Sequence, residues 1–401
     1  MPGAVIFRRV LLLAPLALPL SAQAQILDEL LPGTVPGYAQ HTSWLAARRE
    51  NAPGATGWRL GGLDLAPGLV ARAGYDSAPN GSAGSSVVGV TPSLLLSDPV
   101  AGFGAYAEMD ANTYPQNTAQ NVTSTALAAG ERAELPRETL TLSGAFLKSA
   151  ESSFALSSFA IVKPIAFTLK DIRARDDITA GCLTVSPRLS TSFYNFPAYP
   201  SQNRRDLRGS LHLHYSNGAP LSYVAELRAG SSTGADVIQD ANNYAALAGL
   251  QDKADGLWTI SALAGGAWRT PRVGQGLAAP VLEARLDWSP DRLDELWFNL
   301  AREIDDPDRL SATPYTLTEA KLTFLRMGLG DVSFKATAEA SNAAYLHAPL
   351  RETLFTGSTE VIWQMSPTLS LNGRYMFNDR QSNQLGAANE HVLTIGISWS
   401  P

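Results

Sequence analysis

The chain predicts an all-β fold: a transmembrane antiparallel up-and-down β-barrel of about 18 strands, with 16 as the alternative count. Three observations carry that prediction. The final stretch, His391 to Pro401, sets Leu393, Ile395, Ile397 and Trp399 on one face and Val392, Thr394, Gly396 and Ser398 on the other. This is an amphipathic strand that ends beside an aromatic, as a closing strand does. From Gly57 onward the same period-two pattern recurs between turn-forming residues. At the other end, residues 1–24 have the layout of an export signal.

Within that signal, Arg8 and Arg9 form the basic region, Val10 to Leu20 the apolar run, and Ser21-Ala-Gln-Ala24 an Ala-x-Ala cleavage site. The apolar run is shorter than the roughly 20 residues a spanning helix needs, so cleavage after Ala24 is expected. No later segment is long and apolar enough for a membrane helix. The single cysteine, Cys182, can form neither an intramolecular disulfide nor a structural zinc site. Removing residues 1–24 takes the formal charge from −6 to −8, which argues against nucleic acid as a partner. An exported chain without a disulfide framework and with near-neutral mean hydropathy fits the bacterial outer membrane, where lipid-facing and lumen-facing residues alternate.

Residues 25–56 differ from the rest of the mature chain. Ile26 to Leu31 suits one helical turn, and Pro32, Gly33, Pro36, Gly37, Pro53 and Gly54 interrupt everything around it. This stretch is read as a periplasmic N-terminal segment or a short lumen plug, and residues 57–401 as the barrel. Within the barrel, Leu207, Gly209, Leu211, Leu213 and Tyr215 alternate with Arg208, Ser210, His212 and His214. Leu221, Tyr223, Ala225 and Leu227 alternate with Ser222, Val224, Glu226 and Arg228. Leu282 to Trp288, Val332 to Glu339 and Leu369 to Phe377 repeat the pattern. Each polar face carries charge, which leaves few strands for the second inner sheet of a soluble sandwich.

Short turns at Ser97-Asp-Pro, Ser216-Asn-Gly, Asp252-Lys-Ala-Asp, Ser289-Pro-Asp, Gly328-Leu-Gly and Ser366-Pro-Thr are assigned to the periplasm. Longer connections at 195–203, 231–240, 305–314 and 379–388 are assigned to the outside. The first strand is placed at Leu69 to Tyr75 and the last at Val392 to Trp399. Between Glu138 and Asn195 the count is open, because Pro164 and Pro187 interrupt candidate strands. Phe159 to Leu169 either spans the membrane or belongs to a long loop.

The candidate substrate path is the set of lumen-facing polar side chains: Arg72, Glu108, Arg208, His212, His214, Glu226, Arg228, Glu283, Arg285, Asp287, Lys335, Glu339, Glu360 and Arg374. Both signs interleave, and no single-sign constriction marks an ion-selective pore. One reading is a wall of mutually neutralising ion pairs. The other is a sugar path, in which carboxylates and guanidinium groups bind hydroxyls and aromatics stack on sugar faces. His212 and His214 share a face at two-residue spacing, but no third ligand is evident, and no metal site or cofactor is expected. Asp305-Asp-Pro-Asp308 is read as an acidic outer turn rather than a Ca²⁺ site. Asn80-Gly-Ser and Asn121-Val-Thr are read as turn and strand residues. Gly230-Ser-Ser-Thr-Gly234 matches a nucleophile elbow formally but lacks the strand-to-helix context, so no enzymatic activity is expected.

Three stretches resemble the putative β-barrel porin 2 family of bacterial outer-membrane proteins. They are Gly57 to Asp76, with its Leu-Gly-x-x-x-Leu-x-Pro opening and Gly-Tyr-Asp end, Tyr375 to Asn383 with an Arg-x-Ser-Asn loop, and the terminal strand. The chain departs from the family pattern in Asp76-Ser-Ala-Pro-Asn80 and in Ser400-Pro401 after Trp399. The resemblance implies an outer-membrane barrel, with members associated with surface polysaccharide production, and supplies no catalytic residues. The expected function is a passage across the outer membrane, by passive permeation or, as the resemblance alone implies, by guided export of an exopolysaccharide. The alternatives are a general diffusion porin and a closed barrel that docks a periplasmic complex. Expected partners are outer-membrane lipids, lipopolysaccharide and periplasmic polysaccharide-export components.

Overall fold

The structure, a computed structural model, describes residues 27–38 except 29, and residues 57–401 except 152–153, 155, 157–162, 236–239, 254–256, 306–313, 329–330, 347 and 385. The expected signal peptide therefore lies outside the described residues, as do residues 39–56 and most of the 305–314 connection.

A short strand β1 (Trp58–Leu60) folds back on β2 (Leu63–Asp76). After it come β3 (Ser85–Asp98), β4 (Phe103–Thr113), β5 (Val122–Leu135), β6 (Glu138–Glu151), β7 (Ile165–Ala180) and β8 (Leu183–Asn195). Next are β9 (Arg204–Tyr215), β10 (Leu221–Gly234), β11 (Ala241–Asp252), β12 (Trp258–Pro271), β13 (Leu277–Trp288) and β14 (Asp294–Asp305). The series ends with β15 (Tyr315–Met327), β16 (Val332–Tyr345), β17 (Arg351–Ser366), β18 (Leu369–Ser382) and β19 (Gly386–Trp399). Each strand pairs antiparallel with its sequence neighbour, and β19 pairs with β2 from Trp399↔Leu69 to Val392↔Asp76. Strands β2 to β19 thus close an 18-strand antiparallel barrel.

The closing partnership is the expected one, but the strands run longer than the apolar alternation. The first strand begins at Leu63 rather than Leu69, and the last at Gly386 rather than Val392. The connection placed at 379–388 shrinks to residues 383–385, because β18 and β19 stay paired through Asp379↔Asn389 up to Ser382↔Gly386. There both faces are polar, so alternation ceases while backbone pairing continues. Likewise β10 runs to Gly234, which puts Gly230-Ser-Ser-Thr-Gly234 wholly inside a strand, paired on both sides at Gly230 to Ser232.

In the open region, β7 starts immediately after Pro164 and runs for 16 residues. Pro187 sits inside β8, on its exposed face, where the β7–β8 ladder skips from Arg175↔Arg188 to Ile178↔Val185. Proline has no N–H to give, and the ladder is interrupted where that donor is missing. Pro92 repeats the device in β3, where pairing with β4 skips from Val90↔Ala111 to Ser93↔Glu108.

The β5–β6 and β7–β8 turns are only two residues each, 136–137 and 181–182, with Gly181 at φ 64°. They lie at the same end as the other short turns, and as Leu63 and Trp399 at the ends of the two seam strands. That end faces the periplasm. On the outward face large apolar side chains are exposed, among them Leu227, Ile172, Leu393, Ile395 and Ile397. Aromatic neighbours such as Tyr215–Tyr223 and Trp258–Trp288 mark its periplasmic rim. No helix among the described residues is long and apolar enough to cross a membrane, so crossing rests on the strands.

Candidate functional site: the lumen

Alternation puts all fourteen candidate side chains on the inward face, shared with residues buried against one another rather than with the exposed apolar band. They fall into separate groups around the wall.

At the β2–β4 arc, Arg72 donates from Nη2 to Asp110 at 2.6 Å and to Asn112 at 2.7 Å, and from Nη1 to Thr91 at 3.1 Å. Thr91 donates to Asp110 at 2.5 Å. This knot fills the gap that Pro92 leaves in the ladder, so side-chain bonds take over where backbone bonds stop. Glu108, one step along β4, accepts the Tyr106 hydroxyl.

The largest group spans β9 to β13. Arg228 reaches Glu226 at 2.9 Å on its own strand and Glu283 at 2.6 Å on β13. Strands β11 and β12 intervene, and the Arg228–Glu283 ion pair passes over their inward positions. Those positions are small or apolar: Leu247, Leu263 and Ala267, which form a buried cluster with Val224 and Val281. The ion pair is a chord across that arc of wall, and the apolar floor leaves room for it. His212 Nδ1 stands 3.6 Å from Glu226, in ion-pair range rather than hydrogen-bond range. His214 Nε2 lies 3.0 Å from Ser222 Oγ. Each histidine is thus engaged by a different group on β10, and no set of three metal-ligating side chains converges among the described residues. Arg208 lies 3.7 Å from Asp206, which also pairs with Arg204 at 3.1 Å.

Elsewhere Arg285 pairs with Asp287 at 2.9 Å and Glu339 with Lys321 at 3.2 Å. Lys335, Glu360 and Arg374 stand in one cross-strand row on β16, β17 and β18. Sequence reasoning missed Asp110, Asp206 and the β7 set Asp171, Arg173, Arg175 and Asp177. The signal was present as an alternating Asp-x-Arg-x-Arg-x-Asp run, masked because the flanking prolines left β7 unassigned.

Two further parts of the chain enter the lumen. Leu27, Leu31, Val35 and Tyr38 are buried in one cluster with inward-facing Ala126, Ala128, Leu147, Phe167, Leu169 and Tyr194. Arg173 clamps them: it bonds Asp28 at 2.6 Å and Asp171 at 2.7 Å, donates to the Gly37 carbonyl at 3.2 Å, and lies 4.5 Å from the Tyr38 ring centroid. Tyr38 donates to Asp171 at 3.1 Å, and burial beside that carboxylate pushes its phenol pKa up, so it remains a donor. The wall is shaped for this contact. Gly104 and Gly130 are opposed on β4 and β5, and a Cβ on either would lie 2.4 Å from the Thr34 or Pro36 carbonyl oxygen. The second intrusion comes from the β6–β7 connection. Leu156 packs against Tyr315, Leu317, Ala343 and Tyr345 on β15 and β16. Those strands lie nine positions around an 18-strand barrel from β6 and β7, so Leu156 reaches the opposite wall. Of the stretch Phe159 to Leu169, Ile165 to Leu169 lies in strand β7, and residues 159–162 lie outside the described residues.

Closed strand order, apolar exterior and charged lumen define an outer-membrane, porin-like β-barrel. Residues 236–399, which hold strands β11 to β19, match the model of the family described as putative beta-barrel porin 2. Two of the three resembling stretches fall within that match, and Gly57 to Asp76 lies outside it. No curated protein matches the sequence. Among solved structures, the chain is similar to the outer membrane protein OpdK from Pseudomonas aeruginosa (12% identity, TM-score 0.48, covering 84% of this chain and 99% of that one). It is also similar to OccK2 (OpdF) from the same organism (11%, TM-score 0.46, 84% and 97%). A third is the P. aeruginosa siderophore receptor PirA (9%, TM-score 0.41, 84% and 80%).

Proposed function

We propose that the barrel is a passage across the outer membrane for polar solutes without net charge, of the saccharide class, and that it acts by guided permeation rather than catalysis. The observation that carries this reading is the pairing of the lumen charges. Arg72 with Asp110, Arg285 with Asp287, and Lys321 with Glu339 each cancel locally, and Arg228 bridges two carboxylates, Glu226 and Glu283, offsetting one of them. A wall of paired charges offers donors and acceptors to hydroxyl groups while presenting no single-sign field to an ion. The N-terminal segment, read as a plug, and the β6–β7 loop narrow the lumen. Permeation is then limited by them rather than by the wider bore that eighteen strands leave.

Liposome swelling with the refolded barrel tests this. Neutral mono- and disaccharides are expected to enter faster than anionic or cationic solutes of the same size. Entry restricted to one charge sign would overturn the reading. Export of a surface polysaccharide is the extended form of the proposal. Loss of exported polymer in a deletion strain supports it, and unchanged export leaves a saccharide porin. The rival, a closed barrel docking a periplasmic complex, draws on the lumenal seat of residues 27–38 and predicts no solute entry at all.

A further inference from the structure

The lipid-facing surface carries charge, and its two ends differ in sign. Among the outward positions of the described strands, the extracellular half holds Lys148, Lys170, Arg205, Arg302 and Arg351 against one carboxylate, Asp379. The periplasmic half holds six carboxylates between Asp98 and Asp294 and one cation, Arg326, itself 3.6 Å from Asp294. The sign therefore follows the leaflet.

Three of the outer cations gather within the four consecutive strands β6 to β9. The register runs Phe146↔Lys170↔Phe193↔Arg205 across β6, β7, β8 and β9, all outward. Lys148 follows two residues after Phe146 on the same face, toward the extracellular end of β6. Arg205 lies over the Phe193 ring at 5.3 Å from its centroid. Neighbouring strands are about 4.8 Å apart, so Lys170 and Arg205 sit roughly 10 Å from each other with an aromatic between them. Phe146 and Phe193 place this row in the aromatic girdle, at the depth where lipid headgroups begin. No carboxylate shares the outward face of β6–β9 in that half among the described residues.

We propose that this row is a binding site for the phosphates of lipopolysaccharide in the outer leaflet. The cations pair with the phosphate groups, the phenyl rings pack against the sugar and the first acyl carbons, and Ile172 and Leu189 below continue as apolar wall. The occupant is a membrane glycolipid rather than a free anion, because the site opens sideways into the bilayer and not into water.

The test measures binding of bisphosphorylated lipid A to the purified full-length barrel in detergent, with folding verified by heat-modifiable gel mobility. Comparison variants are the triple substitution Lys148→Gln, Lys170→Gln, Arg205→Gln and the control Arg302→Gln, Arg351→Gln. The wild type should bind lipid A, and the triple variant should lose roughly 100-fold in affinity, since each basic residue near an anionic lipid surface contributes about fivefold. The control should stay close to wild type. Equal affinity of wild type and triple variant would overturn the proposal. So would equal binding of dephosphorylated lipid A, or displacement of lipid A by inorganic phosphate at matching concentration, which would reassign the site to a free anion. Because none of these side chains faces the lumen, solute permeation is independent of the result.

Discussion

At the scale of single residues, Arg173 and a pair of glycines decide where the N-terminal segment lies. Arg173 is almost fully buried between Asp28 and Asp171. Removing one member of a buried pair leaves the others uncompensated, a loss of about 3–5 kcal/mol. Arg173→Gln is therefore expected to release residues 27–38 from the wall, seen as faster protease cleavage of the segment in an otherwise folded barrel. Gly130→Val attacks the same contact by sterics alone, since its Cβ would meet the Pro36 carbonyl oxygen. It should give the same cleavage pattern with every charge intact, and an unaltered pattern in both variants would rule the clamp out. None of this was legible in the sequence. The partners are more than a hundred residues apart, and the Pro/Gly content of 25–38 hides any periodicity. The lumen charges were legible as a face, because alternation assigns a side to each residue. Their partners were not: the ion pair of Arg228 with Glu283 crosses two intervening strands, and no local pattern encodes a chord.

At the scale of elements, the barrel was read correctly where one face was apolar and incompletely where neither was. Strand number and the closing β2–β19 pair follow from period-two alternation. The ends of β18 and β19 do not, because polar residues on both faces carry the hairpin past the membrane. Strand β7 was obscured by Pro164, which stands just before it, and by Pro187 in β8, whose missing donor the ladder accommodates by skipping pairs. The seam gives a sharp prediction. Ala73 and Ile395 are register partners on the outward face, so Ala73→Cys with Ile395→Cys, in a Cys182→Ser background, should form an intramolecular disulfide under mild oxidation. Shifting one cysteine to Thr394 turns it to the other face and should abolish the link. A link in the shifted variant would mean the register is wrong by one residue.

At the scale of the whole molecule, the barrel is wide and narrowed from within. Eighteen strands set the bore, the Arg173-held segment lines one wall, and Leu156 of the β6–β7 loop reaches β15 and β16. Paired charges leave no ring of a single sign, but inward carboxylates outnumber inward cations among the described strands, so a conducting barrel should favour cations modestly. Reversal potentials in a salt gradient should accordingly show a weak cation preference, and a preference for anions would contradict this lumen. A solute passage restricted by residues 27–38 is tested most directly by single-channel conductance of the barrel with and without that segment. The intact protein is expected to give small, steady openings, and the deletion to give markedly larger ones in the same barrel. Silence in both would contradict a passage and favour a docking barrel, and equal conductance in both would show that the segment does not restrict it.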